Sequence, residues 1–148
     1  MEHTSQPRSI DLLLAQYAES HRNPTNELIH FACIPAIVFS LLGILWAMHP
    51  VVALAVVLGS LYYYLKLSRP FAIGMALMSA AMLALLALMP PLTVLPFSIA
   101  VFVVAWIGQF IGHKIEGKKP SFFDDLRFLL IGPLFVLSFL YRRLRVAY

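Results

Sequence analysis

Long apolar runs separated by short polar or proline-bearing breaks dominate this chain. Leu28 to Met48, Val51 to about Leu65, Phe71 to Met89 and Leu92 to Ile111 carry no Lys, Arg, Asp or Glu. At about 1.5 Å per helical residue, such runs approach or exceed the ~30 Å of a hydrocarbon core, which predicts four spanning helices. Asn23-Pro24 is a strong helix start, with asparagine as N-cap and proline in the first turn, so the first long helix is expected from about Pro24 to Met48. Pro35 removes one donor inside it and predicts a kink one turn after His30. His49-Pro50 and Pro90-Pro91 are expected turns, and Thr93 and Pro96 fit the N-terminal turn of the fourth span. The third span is rich in Ala, Met and Gly, which allows close helix approach. Tyr62, Tyr63 and Tyr64 end the second span as an interfacial aromatic belt would.

Two shorter stretches flank the spans. Ile10, Leu13, Leu14 and Tyr17 recur at helical spacing, which predicts an amphipathic helix from Ser9 to about Glu19, in the interface or packed on the bundle. Residues Met1 to Arg8 read as a loosely attached polar tail. The segment Leu126–Tyr141 is short for a span and carries Gly132-Pro133 in its middle, so it is expected to dip in and return, or to lie along the interface. The whole reads as one all-α membrane-embedded domain over residues 1–148. It is a bundle of four transmembrane helices with an N-terminal interfacial helix and a C-terminal re-entrant or interfacial helical segment.

Composition strengthens this picture. The chain is 61% hydrophobic and only 12% charged, against roughly 45–50% and 25% in soluble domains. The net charge of +4 is modest, and its basic residues sit beside apolar runs, which argues against nucleic-acid binding. They alternate by side. Arg8 and Arg22 precede the first span, Lys66 and Arg69 join spans two and three, and Lys114, Lys118, Lys119 and Arg127 follow span four; the other two turns carry none. By the positive-inside rule both termini are cytoplasmic, in a bacterial inner membrane or, in a eukaryote, the endoplasmic reticulum. No cleavable signal peptide is expected, because the first apolar run follows a polar stretch of about 27 residues. A lone Cys33 allows no internal disulfide and reads as a packing thiol.

Charge and topology together bring the chemistry to one rim. His21, Asn26, His30, Gln109, His113 and Glu116 all fall at the cytoplasmic ends of the first and fourth spans. His49 falls on the far side and His3 in the tail, so neither is a candidate. Asn26 and His30, and likewise Gln109 and His113, are four residues apart and share a helix face; Glu116 lies three beyond His113. Polar groups near lipid favour the bundle interior. Neutral imidazole and carboxylate suit iron, zinc or manganese, so His21, His30, His113 and Glu116 form a candidate metal set. Asn26 and Gln109 are candidates to orient the ligand imidazoles. The plainer alternative reads a single interfacial histidine as an amphipathic side chain at the water boundary, and Glu116 as a surface charge among lysines. The motifs of membrane desaturases and zinc proteases are absent, as is any glycine-rich phosphate loop.

The pattern Tyr17-x-x-x-His21-x-x-x-x-Asn26-x-x-x-His30-x-x-x-x-Pro35 resembles the start of the 2-hydroxy fatty acid dioxygenase family. The run Gln109-Phe110-Ile111-Gly112-His113-x-x-Glu116-x-x-x-Pro120, with Gly132-Pro133-Leu134-Phe135, resembles its second motif. The resemblance implies an enzyme that shortens long-chain 2-hydroxy fatty acids by one carbon with Fe(II) and molecular oxygen, with His21, His30 and His113 as the essential histidines. The substrate head, with its carboxylate and hydroxyl, would reach the cytoplasmic rim while its acyl chain lies among the spans. Lys118, Lys119 or Arg22 would attract the carboxylate, although topology explains these charges equally well. Two other classes compete: a non-enzymatic lipid-binding scaffold or transporter subunit, and a zinc-dependent lipid enzyme.

Overall fold

The computed structural model describes residues 7–118 and 128–148, and these form six helices: α1 (Ser9–Ala18), α2 (Pro24–Met48), α3 (Pro50–Leu67), α4 (Arg69–Leu88), α5 (Pro91–Glu116) and α6 (Ile131–Arg143). His3, Lys119, Pro120 and Arg127 of the sequence reading lie outside the described residues.

Proline and a polar cap start the long helices. The Asn23 Oδ1 accepts from the Thr25 amide at 2.9 Å, and Pro24 takes the first helical position, where its missing N–H costs nothing. The extended His49 ends α2 and caps α3 by accepting the Val51 amide on Nδ1 at 3.1 Å. This is the structural use of the histidine set aside above. Pro35 lies inside α2 without ending it. The span that the pattern ends at Ile111 continues as helix to Glu116 and stops at Gly117, whose φ of 78° lies in the left-handed region that glycine adopts without strain. Likewise Pro96 sits well inside α5 and Pro91 begins it.

Helices α2 to α5 are the four elements long and apolar enough to cross a membrane. Large aliphatic side chains on their outer faces, among them Leu54, Leu58, Leu77, Leu85, Val104 and Ile107, are exposed. An apolar exterior on this scale fits a lipid-facing surface and no aqueous one.

Helices α1 and α6 close the end of the bundle where α2 begins and α5 ends. Ile10, Leu14 and Tyr17 of α1 pack with Leu134 and Phe135 of α6, Ile34 of α2, Tyr64 of α3 and Phe71 of α4. The amphipathic spacing read in the sequence is thus the buried face. Gly132-Pro133 opens α6 in its first turn and does not break a helix in two, because proline is tolerated there. A Cβ on Gly132 would lie 3.2 Å from both Ile34 Cδ1 and Tyr17 Oη, so glycine lets α6 seat closely. At 13 residues, α6 reaches only about 20 Å and flanks the bundle without crossing it. Tyr64 differs from the aromatic-belt reading: it is 2% exposed and donates its hydroxyl to the Leu130 carbonyl at 2.8 Å, tying α3 to the approach of α6. Tyr62 alone of the three is exposed, with the Lys66 ammonium over its ring.

The tightest approach is the antiparallel pair α2 and α5. A Cβ on Gly43 would collide with Ser98 Oγ at 1.9 Å, one on Gly108 with Cys33 Sγ at 2.5 Å, and one on Gly112 with Asn26 Oδ1 at 2.4 Å. Gly108 and Gly112 are four apart on α5, a small-residue stripe of the kind that lets helices touch in lipid. Close packing expected on α4 is present at Gly74, where a Cβ would collide with the Tyr141 hydroxyl of α6, and the α2–α5 pair adds three further such positions.

The Cys33–Gly108 contact gives a two-residue test. Gly108→Ala should lower stability in detergent by about 1–3 kcal/mol through overpacking. Adding Cys33→Ala, which removes the obstructing sulfur, should restore most of the loss, as read by thermal unfolding midpoints. Equal midpoints for single and double variants would show that the sulfur is not the obstacle.

Candidate metal centre

Three elements deliver three imidazoles to one end of the α2–α5 pair. His21 sits in the link between α1 and α2, His30 one turn into α2 beyond Asn26, and His113 near the end of α5. All three are buried, at 6%, 1% and 7% exposure, which is unusual for polar rings in so apolar a chain. Their ring centroids lie 4.2 Å apart for His21–His30, 5.1 Å for His30–His113 and 6.1 Å for His21–His113, all edge-on.

Backbone carbonyls fix two of the rings. His21 Nδ1 lies 2.7 Å from the Tyr17 carbonyl, and His30 Nδ1 lies 2.8 Å from the Asn26 carbonyl. A carbonyl only accepts, so each Nδ1 carries the proton and donates it, and each Nε2 holds the lone pair. This is the arrangement by which proteins orient metal-binding imidazoles. Tyr17 also stacks flat on His21, at 4.2 Å between centroids and 6° between planes, and Phe135 lies at 5.5 Å on the same ring.

Glu116 has other work. Its Oε1 accepts from the Arg22 amide at 2.9 Å; its Oε2 accepts from the Asn23 amide at 2.8 Å and from Asn26 Nδ2 at 3.0 Å. A carboxylate at the C-terminus of its own helix is unfavourably placed, but this one reaches the positive N-terminal end of α2. Both oxygens therefore clasp α5 to the link that carries His21. The fully buried Asn26 spends its amide N–H groups on Glu116 and on the Ser20 carbonyl at 3.2 Å. It orients His30 through its backbone carbonyl, not its side chain. Gly112 is the counterpart on α5: its bare Cα leaves the space that Asn26 Oδ1 and the His30 ring fill.

A cavity of about 270 Å³ opens beside His21 and His113, with Trp106, Gln109 and Lys118 in its wall and Ile34 and Ile37 on its apolar side. The Gln109 side chain is 5% exposed, and its Oε1 has no hydrogen-bond partner among the described residues. A buried amide oxygen left so is costly unless something binds it.

The six polar residues singled out from the sequence thus meet at one place, and His49 caps α3 at the opposite end of α2. Tyr17 and Gly112 are the additions; both stood in the motifs, but a carbonyl acceptor and a missing Cβ leave no compositional signal. Imidazole donors with fixed tautomers fit a divalent ion. Among the described residues, no group of three or more His, Cys, Asp and Glu side chains is already gathered to hold one, the three neighbouring histidines included.

The family model described as 2-hydroxy-palmitic acid dioxygenase Mpo1-like matches residues 8–144. The chain belongs to the Mpo1-like family. The matched residues include all six polar positions of the site. Among curated relatives, the 2-hydroxy-palmitic acid dioxygenase MPO1 of Saccharomyces cerevisiae is 32% identical over 140 residues, spanning 87% of this chain and 78% of that protein. No solved structure matches the chain. Membership of the Mpo1-like family supports an enzymatic role, and the four apolar helices support a membrane location.

The clasp is testable without any ligand. Glu116→Ala should cost about 1–3 kcal/mol of stability, the scale of hydrogen bonds to a charged group, and Glu116→Gln less. Amide hydrogen exchange at Arg22 and Asn23 should quicken in the alanine variant. Unchanged exchange at both amides would contradict the assignment.

Proposed function

We propose that this chain is an Fe(II)-dependent dioxygenase that shortens long-chain 2-hydroxy fatty acids by one carbon. The observation that carries the reading is the burial of three neighbouring imidazoles, two with Nδ1 tied to backbone carbonyls, beside a cavity that holds an unsatisfied amide oxygen. Family membership supports the substrate and the reaction. The overall change balances without an organic co-substrate: one 2-hydroxy acid and one molecule of oxygen give the shorter acid, carbon dioxide and water. Bound Fe(II) supplies the redox chemistry that lets oxygen react with a closed-shell acid.

The chain's own residues have separable tasks. His21, His30 and His113 hold the ion through ring nitrogens. The Tyr17 and Asn26 carbonyls keep the His21 and His30 rings in the tautomer that presents Nε2. Gln109 accepts the hydrogen bond of the substrate 2-hydroxyl, which distinguishes a 2-hydroxy acid from a plain one. Lys118, at the cavity wall, attracts the carboxylate. Ile34, Ile37 and Trp106 keep water from the reacting head. Glu116 positions His21 through the α2 start and binds no metal. The basic residues at this end of the bundle support a site on the cytoplasmic face of a bacterial inner membrane or, in a eukaryote, of the endoplasmic reticulum.

Anaerobically purified protein loaded with Fe(II) should convert a 2-hydroxy long-chain acid and oxygen to the acid one carbon shorter. His30→Ala and His113→Ala should each lose at least about 100-fold in activity with helix content intact, and zinc should not substitute for iron. Activity that survives either variant, or thorough iron removal, would sink the reading. Gln109→Leu should keep its iron and lose about 10- to 100-fold in kcat/KM, the worth of about one buried hydrogen bond.

A further inference from the structure

A second cavity of about 210 Å³ lies deeper in the bundle, between α2, α3 and α4. Its wall is aliphatic almost throughout. Of its few hydroxyls, Ser60 donates to the Val56 carbonyl at 2.9 Å and Tyr64 to the Leu130 carbonyl at 2.8 Å, so these present little polarity to the space. Ile44, Leu45 and Val56 form its far end, on the parts of α2 and α3 remote from the histidines.

The two cavities share one wall residue. Leu129 lines both, and next to it Gly132 faces the histidine cavity while Pro133 faces the deeper one. The entry to α6 is therefore the partition between a polar chamber and an apolar one. Along α2, His30 to Leu45 spans about 22 Å. That distance matches the reach of an extended long-chain acyl group whose head sits among the imidazoles.

We propose that the deeper cavity is the binding site for the substrate's alkyl chain. The chain passes Leu129, and its methyl end lies against Ile44, Leu45 and Val56, which set the longest chain accepted. The assignment rests on the reading of the histidine cavity as the site of a 2-hydroxy acid head. The shared wall at Leu129 favours this occupant over a bilayer lipid tail, because it sets the apolar space directly beside the chamber that would hold the polar head.

The test is made on metal-free full-length protein in lipid nanodiscs, where no turnover occurs. The probe is a long-chain fatty acid with a photoreactive diazirine at its methyl end, and labelled residues are mapped by mass spectrometry. Labelling is expected on the stretch holding the partly buried Ile44 and Leu45. An unlabelled acid of equal length should reduce it at least tenfold, and a medium-chain acid should not. Leu129→Trp, which fills the passage, should cut the labelling at least fivefold, and Leu129→Met should not. Labelling confined to outward-facing Leu54, Leu58 and Leu77 would overturn the proposal. So would labelling of Leu45 that free acid does not displace, the behaviour of a bilayer-lipid pocket. The readout is independent of catalysis: an inactive protein that labels as expected refutes the dioxygenase reading alone, and an active one that fails to label refutes this proposal alone.

Discussion

The close antiparallel approach of α2 and α5 is the constraint on which the rest depends. Lipid offers little hydrophobic drive for helix association, so contact has to come from shape and from polar bonds. Gly43, Gly108 and Gly112 supply the shape, each leaving room for a side chain of the opposite helix. Glu116 supplies the polar bonds, holding the link before α2 by the Arg22 and Asn23 amides and the first turn of α2 by Asn26. The pair thereby carries His30 and His113 to within 5.1 Å of one another. His21 joins them because the same carboxylate fixes the link in which it lies. A methyl group at Gly112 would intrude on both Asn26 and His30, so the packing of the pair and the geometry of the site are one problem.

The short helices solve a different one. A buried polar cluster at the end of a bundle would be open to water and headgroups. Helices α1 and α6 cover it with Tyr17, Phe135 and their neighbours, and Tyr17 serves twice, as a flat platform under His21 and as its carbonyl acceptor. The result is a partly sheltered chamber in which polar groups stand against an apolar side, a setting in which hydrogen bonds and charges act more strongly than in water.

Much of this was legible in the sequence for physical reasons. In an apolar background each polar residue is expensive, so His21, Asn26, His30, Gln109, His113 and Glu116 stood out, and the alternation of basic residues grouped them at one end. Asn23-Pro24 and His49-Pro50 marked helix starts because capping and the fixed proline φ are local. What escaped was non-local. The three donors to Glu116 lie ninety or more residues away in the chain, in the link before α2 and in its first turn, so spacing alone gave no sign of the clasp. Gly108 reads as an ordinary span residue and Gly112 as part of a motif, and only the fold sets Cys33 and Asn26 against them. Gly132-Pro133 looked like a break because its neighbours Leu126 to Leu130 are as apolar as α6 itself. Tyr64 looked interfacial because two exposed tyrosine neighbours would have been equally at home there; in fact only Tyr62 is exposed.

In the proposed site three imidazoles from three elements share one iron. Iron-edge X-ray absorption of the Fe(II)-loaded chain in nanodiscs tests it most directly. The expected result is the multiple-scattering signature of three imidazole ligands, falling to two in His30→Ala and unchanged in Glu116→Gln. A coordination shell of oxygen donors without imidazole scattering, or a loss of ligands in Glu116→Gln, would contradict it.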